Sequence, residues 1–147
     1  MLHYPLIHPP LLAALAASGH GGKVLIADGN FAHRTNTHPA TPVVYLNLSP
    51  GLLTVDQVLA AVADACPIER AALMAPDDGS TAAAEPGLRT LLGAAVPVTR
   101  LPRAEFYAAC REPDLAVAVA TGDQRHFANV LLTLGYLPEI ASSQDSD

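Results

Sequence analysis

Residues 19–29, GHGGKVLIADG, contain the pattern from which the fold is predicted. A short apolar run, Lys23–Ala27, includes Val and Ile and is bounded by glycine on both sides, which predicts a buried β-strand. Two side chains capable of acid/base chemistry flank this strand, with His20 before it and Asp28 directly after it. The sequence therefore predicts a strand with one titratable group near each end.

Helix and strand patterns alternate along the rest of the chain. Proline or a capping residue marks most of the predicted helix starts, and the predicted helices cover residues 9–18, 55–65, 85–92 and 102–111. The further predicted strands cover residues 43–48, 71–75, 96–101, 115–120 and 129–134, and Pro97 favours an edge position for 96–101. This alternation predicts an α/β fold: a single three-layer α/β/α domain over residues 1–140 with a mostly buried sheet of about six strands. Residues 141–147 are predicted to form a disordered polar tail.

Composition and charge exclude several classes of protein. The chain has 147 residues, a formal charge of −6 and no basic run that could neutralise phosphates, so no nucleic-acid partner is expected. No apolar stretch reaches the roughly 20 residues of a membrane helix, and no signal-peptide pattern is present. Cys66 and Cys110 show no ligand-like spacing, which is typical of a reducing compartment. We therefore expect a cytoplasmic protein with no membrane partner.

The carboxyl ends of the predicted strands are the expected place for a ligand, as in other open α/β sheets. Three loops follow such ends, after Ala27, Leu101 and Ala120. The first of them, residues 28–42, has no clear periodicity and is rich in His, Asn, Thr and Pro. Long loops in compact domains are often functional, which makes this loop a candidate for the site.

His20 and Asp28 each admit two interpretations. A histidine between glycines is either an exposed loop residue beside a helix end or a general acid/base, since imidazole titrates near neutral pH. An aspartate before glycine is either a turn-forming residue or a carboxylate delivered into the ligand crevice. The two residues could share a site if the loop at His20 folds back or if a second subunit contributes one of them.

Arg103, Phe127 and Asn129 are further candidates in the same region. Arg103 opens a predicted helix and forms either a surface ion pair or a fork of donors for sugar hydroxyls or an oxyanion. Phe127 is either a core residue or an apolar platform. Asn129 is either a turn residue or an amide that binds a polyol.

No cofactor or metal is expected. His33 and His38, with His20 and Asp28, could form a metal site, but the spacing does not match a known ligand pattern. The glycines before Lys23 precede a strand where a phosphate-binding loop would follow one, so a phosphate cradle is excluded.

Four short motifs in register resemble the D-ribose pyranase / L-fucose mutarotase family, RbsD/FucU. The resemblance extends from about Pro9 to Leu137, and it ends in a leucine-rich strand closed by Gly135. Its motifs are Gly19-His20-Gly21 with Asp28 at a strand end, Arg103-Ala104-Glu105-Phe106-Tyr107, Thr121-Gly122-Asp123, and Phe127-Ala128-Asn129.

The resemblance implies roles for these residues. His20 corresponds to the proton-transferring histidine, Asp28 to a sugar-binding carboxylate, and Phe127 and Asn129 to the substrate-binding stretch. Arg103 lies where the fucose branch carries arginine and the ribose branch histidine. Family members are ring-shaped homo-oligomers, often decamers, with sites near subunit contacts, so a ring of identical subunits is the implied partner.

This chain also departs from the family pattern. It has Gly22 in place of an acidic residue and Phe127 in place of tyrosine, and its loop 29–41 fits neither branch. The implied function is a monosaccharide mutarotase, favouring an L-fucose-like sugar with D-ribose possible. Two alternatives remain: a non-catalytic monosaccharide-binding or transport-accessory protein, and a metal-dependent hydrolase.

Overall fold

The computed structural model describes residues 1–141, which form one six-stranded sheet and four helices. The helices are α1 Pro9–Ser18, α2 Val55–Ala65, α3 Glu85–Leu92 and α4 Arg103–Cys110. The strands are β1 Lys23–Ala27, β2 Val43–Tyr45, β3 Ile68–Ala75, β4 Val98–Pro102, β5 Leu115–Ala120 and β6 Val130–Leu134. The predicted α/β class with a sheet of about six strands is confirmed. The predicted polar tail lies, except for Ala141, outside the described residues.

The sheet has the strand order β2-β5-β1-β6-β3-β4. Strand β6 runs antiparallel to both of its neighbours, β1 and β3, whereas the other pairings are parallel. Strands β1 to β5 therefore all point one way, and their carboxyl ends lie together along one end of the sheet. Because β6 is reversed, the residues that precede it lie at this same end. We call this end of the sheet, as distinct from its outer strands, the carboxyl edge.

Apolar side chains cover both faces of the sheet. Val24 and Ile26 of β1 face the larger core, which includes residues of α1, α2 and α3. Leu25 and Ala27 point to the opposite face, where they join a second cluster with Phe106 of α4. This alternation follows from the two-residue period of a strand and explains why the whole run 24–27 is apolar. The predicted arrangement of helices on both faces is confirmed.

The segment Thr121-Gly122-Asp123 anchors the carboxyl edge after β5. The Thr121 hydroxyl donates to the carbonyl of Ala27 at 2.8 Å, which connects β5 to β1. The buried carboxylate of Asp123 accepts the first N–H of α2 at 2.9 Å and a second hydrogen bond from Arg125 Nε at 3.0 Å. Burial by itself raises the pKa of Asp123, but the hydrogen bonds from Arg125 and the α2 backbone outweigh burial and hold it below its usual value.

Several element boundaries differ from the predictions. Strand β2 ends at Tyr45 because the chain leaves the sheet there, and Leu48 is largely exposed. Strand β3 begins three residues early, at Ile68, because pairing with β6 extends it through two exposed polar positions that carry no apolar signal. Pro102 ends β4, so α4 begins at Arg103. The edge position of the strand that follows Pro97 is confirmed.

Both cysteines are free thiols. Cys110 is fully buried, and burial raises its pKa to about 12, so it is an inert core side chain at neutral pH. Cys66 is partly buried, and burial raises its pKa as well. None of the helices within residues 1–141 combines the length and the hydropathy that a membrane span requires.

Gly122→Ala tests how tightly the carboxyl edge is packed. A Cβ at this position would lie 2.0 Å from the Leu52 carbonyl oxygen and 2.4 Å from that of Ser49, so the backbone has to move. We expect the free energy of unfolding, measured by urea denaturation, to fall by about 3 kcal/mol or more. Gly135→Ala is the matched control, because its Cβ would meet its nearest neighbours at 3.6 Å, and we expect a change below about 1 kcal/mol. Equal losses in the two variants would contradict this interpretation.

Candidate active site

Four of the five predicted site residues line one small cavity at the carboxyl edge. Asp28 follows β1, Arg103 follows β4, and Phe127 and Asn129 enter β6. The volume of about 170 Å³ is well below the roughly 300 Å³ at which sites for drug-sized ligands begin, so the cavity suits a small molecule. We call it the Asp28 cavity, and its lining residues are Asp28, Asn30, Phe31, Met74, Arg103, Tyr107, His126, Phe127 and Asn129.

Asp28 and Asn129 hold each other in place across the sheet. The backbone N–H of Asp28 donates to Oδ1 of Asn129 at 2.9 Å, and both residues are buried. The Nδ2 group of Asn129 lies 3.6 Å from the sulfur of Met74, which is a weak acceptor. The Asn129 amide therefore positions Asp28 through its oxygen and keeps donor capacity on its nitrogen for a ligand hydroxyl.

The carboxyl group of Asp28 is in an environment that disfavours its charge. Only 4% of the residue is exposed, and this burial raises the pKa of Asp28, with a smaller contribution from the negative charge of Asp123. Hydrogen bonds from the backbone of Asn30, the side chain of Asn129 and the backbone of Phe31 offset part of the rise. A ligand that brings hydroxyl donors to this carboxylate relieves the remaining desolvation penalty, which favours polyols over apolar ligands.

Arg103 reaches the cavity from the start of α4. Its guanidinium donates to the carboxylate of Asp77 in the loop after β3, and both side chains are about half exposed. An ion pair this exposed contributes little stability, so its arrangement can change at small cost when a ligand binds. Arg103 is therefore a charged donor held near the cavity by a single carboxylate.

Phe127 has an unusual backbone conformation. Its φ of 60° lies in the left-handed region, where it is the only non-glycine residue among those the structure describes. A bulky side chain in this region costs about 1–2 kcal/mol and requires support from its surroundings. The partly buried ring packs against the cluster of α4 and forms one apolar wall of the cavity.

His33 supports Asp28 from inside the long loop. Its Nε2 lies 3.1 Å from the Asp28 carbonyl oxygen, which can only accept, so Nε2 carries the proton and donates it. Its Nδ1 is buried with no hydrogen-bond partner, and 9% of the residue is exposed. Burial lowers the pKa of His33, so the ring is neutral at neutral pH and acts as a structural donor.

His20 lies away from the Asp28 cavity in the same chain. It sits in the turn between α1 and β1, and the five residues of β1, at about 3.3 Å each, place it roughly 15 Å or more from Asp28. Its Nε2 contacts Oε2 of Glu69 at 2.9 Å, and its ring meets Tyr136 edge to face at a centroid distance of 5.1 Å. The structure thus brings together Asp28, Arg103, Phe127 and Asn129, and it places His20 at the opposite edge of the sheet.

Sequence reasoning missed several residues of the site. Tyr107 belongs to the same motif as Arg103 and follows it by one helical turn, but the sequence assigns it no role of its own. His126 directly precedes Phe127, and this proximity is the signal that could have identified it. A second cavity of about 530 Å³ adjoins the first, since Asn30 and His126 line both. The predicted loop 28–42 has no helix or strand, and it supplies Asn30, which no periodicity marks.

The histidines of the metal hypothesis are not gathered in one place. Across the part of the chain that the structure describes, no group of three or more His, Cys, Asp or Glu side chains is placed to hold a metal ion. His33 donates to a backbone carbonyl, and Nδ1 of His38 accepts the N–H of Ala40.

Comparisons with known proteins agree on one family. The profile of the RbsD / FucU transport protein family matches residues 1–137. A D-ribose pyranase of Paracidovorax citrulli is 35% identical over 130 residues, which cover 88% of this chain and 94% of that protein.

Two solved structures have the same fold. Bacillus subtilis RbsD complexed with D-ribose superposes with a TM-score of 0.80 at 23% identity, covering 94% of this chain and all of that one. The fucose mutarotase of Streptococcus pneumoniae in complex with L-fucose gives a TM-score of 0.81 at 21% identity, with the same coverage. These likenesses confirm the sheet and helix arrangement.

His33→Gln tests the buried histidine through the pH dependence of stability. A histidine whose folded pKa lies below the usual 6.5 takes up its proton mainly in the unfolded chain, so stability is lost as pH falls below about 6.5. We expect wild-type stability relative to His33→Gln to rise between about pH 5 and 7, by at most about 1.4 kcal/mol per pH unit. Urea denaturation across this range measures it, with His3→Gln as the exposed control. Parallel curves for wild type and His33→Gln would contradict the assignment.

Proposed function

Since this chain belongs to the RbsD / FucU transport protein family, we propose that it is a monosaccharide mutarotase that interconverts anomers and ring forms. The observation that supports the proposal is a small cavity lined by a buried carboxylate, an amide, a guanidinium and an aromatic ring. Polar groups of this kind beside an aromatic face suit a ligand with many hydroxyls and one apolar face. The relatedness to a D-ribose pyranase supports the same chemistry.

The proposed reaction needs only proton transfers. A base takes the proton of the anomeric hydroxyl while an acid protonates the ring oxygen, and the bond between the anomeric carbon and the ring oxygen breaks. The open aldehyde rotates and closes on its other face, with the two proton transfers reversed. Atoms and charge balance without an oxidant or a phosphate. Positioned acid/base groups accelerate such steps by about 10²–10⁴-fold.

Each residue of the Asp28 cavity has a proposed binding role. Asp28 accepts hydrogen bonds from sugar hydroxyls, and Asn129 donates from its Nδ2, whose contact with the Met74 sulfur is weak. Arg103 donates to a ring or hydroxyl oxygen once it leaves Asp77. Phe127 covers the apolar face of the sugar. All four groups belong to one chain, so one protomer can hold the sugar.

His20 is the proposed proton-transfer group, and it has to come from a second copy of the chain. Within one protomer β1 separates His20 from the Asp28 cavity, and a side chain does not span that distance. A homo-oligomer in which the His20 edge of one copy faces the carboxyl edge of another completes the site. This requirement agrees with the ring assembly, possibly a decamer, that the family resemblance implies.

The sugar is proposed to be L-fucose-like. Arg103 at the start of α4 is the feature that favours it, because an arginine can donate two parallel hydrogen bonds where a histidine donates one. D-ribose is the second candidate, supported by the relatedness to a pyranase.

A non-catalytic sugar-binding protein is the alternative function. Phe127 favours it, since phenylalanine lacks the hydroxyl of the tyrosine that the family pattern has at this position. Such a protein would broaden the sugar signals in NMR without accelerating the exchange between anomers. The structure does not favour the metal-dependent hydrolase, because the histidines that would bind its metal serve other contacts.

Replacement of His20 tests the catalytic proposal. We expect wild-type protein to accelerate anomer exchange of L-fucose or D-ribose in saturation-transfer NMR, and His20→Ala to lose at least about 10²-fold of that rate. The His20 side chain is more than half exposed, so the variant should fold normally by circular dichroism. His3→Ala, another exposed histidine, should retain full activity. Full activity in His20→Ala would exclude the role proposed for it.

Co-expression of two inactive variants tests whether the site is shared. His20→Ala and Asp28→Asn should each be inactive alone. If each site takes His20 from one copy and Asp28 from another, random mixing in equal amounts restores about a quarter of the sites. A site contained in one chain gives no restoration, because every chain then carries a defect. The exchange rate of the co-purified mixture distinguishes the two outcomes.

Arg103→His tests the sugar preference. Loss of the two-pronged donor should shift the ratio of exchange rates for L-fucose and D-ribose by about 10-fold toward D-ribose. Arg111→His, at the other end of α4, is the control and should leave the ratio unchanged. A ratio that does not move with Arg103→His means that this residue does not select the sugar.

A further inference from the structure

The contact between His20 and Glu69 joins two elements that are remote in sequence. Nε2 of His20 lies 2.9 Å from Oε2 of Glu69, and the two side chains are 53% and 43% exposed. Glu69 belongs to β3, whereas His20 lies in the turn before β1. An ion pair this exposed adds little to the stability of the fold, so stability does not explain the contact.

A β-bulge directs Glu69 toward His20. In the pairing of β3 with β6, Ile68 faces Leu134 and Arg70 faces Thr133, which leaves Glu69 as the extra residue. Bulges of this kind change the direction of a side chain and are common next to active sites. The irregularity is confined to the one residue of β3 that contacts the imidazole.

The backbone directly after His20 is also held. The N–H of Gly21 donates to the carbonyl of Leu134 at 2.9 Å, and the N–H of Leu134 donates to the carbonyl of Gly22 at 2.9 Å. The ring edge of Tyr136 restrains the imidazole from another side. The imidazole is therefore contacted by a carboxylate and an aromatic ring, and the turn that carries it is tied to β6.

We propose that Glu69 is a positioning residue that fixes the ring orientation and the tautomer of His20. A carboxylate can only accept, so in the neutral imidazole Nε2 carries the proton and donates it to Glu69. Nδ1 is then the nitrogen with the free lone pair, and it is the atom that exchanges protons with the sugar. The catalytic part of this inference rests on the proposed function, whereas the tautomer does not depend on turnover.

The oligomer strengthens this arrangement. When a second copy covers His20, the contact with Glu69 leaves water, and the lower dielectric increases the attraction between the carboxylate and the imidazolium formed during turnover. The charge on His20 is therefore stabilised at the step in which Nδ1 has accepted a proton.

The test compares Glu69→Ala with Glu69→Gln in the full chain. Imidazole ¹⁵N spectra should show the Nε2–H tautomer in wild type and a mixture in Glu69→Ala. Glu69→Gln should keep the wild-type tautomer, because its amide oxygen still accepts the hydrogen bond. In sugar exchange, Glu69→Ala should lower kcat about 10- to 100-fold with little change in KM, by analogy with the loss seen when the hydrogen-bond partner of a metal-ligating histidine is removed. The kcat of Glu69→Gln should lie between those of wild type and Glu69→Ala.

Asp114→Asn is the matched control. Asp114 forms another ion pair at the surface, with Lys23 at 2.9 Å, and Asp114 also lines a surface depression beside His20. Its removal should change neither the tautomer nor kcat. Similar unfolding midpoints for all three variants would show that the effect of Glu69 is on the imidazole and not on the fold.

Three results would overturn the inference. They are a wild-type tautomer in Glu69→Ala, a kcat for Glu69→Ala equal to that of wild type, and a loss confined to KM, which would make Glu69 a substrate contact. A wild-type protein that accelerates no sugar exchange would instead contradict the proposed function, while the tautomer comparison would still decide the positioning role.

Discussion

The reversed direction of β6 is the constraint on which the site depends. Five strands point the same way, so on their own they would place only residues that follow a strand at the carboxyl edge. The reversed β6 adds residues that precede a strand. Because β6 starts at this edge, Asn129 meets Asp28 across the β1–β6 pairing, and the hydrogen bond between them joins residues 101 positions apart in sequence. Phe127, two residues earlier, is carried to the same place. One antiparallel strand in an otherwise parallel sheet thus combines residues from both halves of the chain.

Groups that lower the free energy of unfolding are concentrated at the carboxyl edge. The buried carboxyl of Asp28, the unpaired Nδ1 of His33 and the left-handed backbone of Phe127 each reduce the stability of the folded chain. The two apolar clusters on either side of the sheet offset these losses. Strained and desolvated groups persist only where the surrounding fold over-determines them, and they are a common property of binding sites.

The sequence predicted the elements well and their contacts poorly. The glycine-bounded run 23–27 and the apolar run 115–120 are strands in the structure, because burial on both faces leaves a continuous apolar signal. Strand order and the direction of β6 have no local signature. Asp28, Arg103, Phe127 and Asn129 were identified as candidates from their positions at strand ends and from family resemblance. Glu69 was not, because an exposed polar residue in a bulge has neither periodicity nor motif to mark it.

The two outer strands of the sheet determine how copies of this chain can meet. Strand β2 has only three residues, and β4 is preceded by Pro97 and ends in Pro102, neither of which has an N–H to offer. Short strands and prolines at sheet edges are features with which proteins prevent uncontrolled strand addition and aggregation. Neither edge is a good template for extending the sheet into a neighbouring molecule. A homo-oligomer of the kind proposed for this chain would therefore use side-chain surfaces, and these select one defined orientation between copies, whereas open backbone edges would accept many.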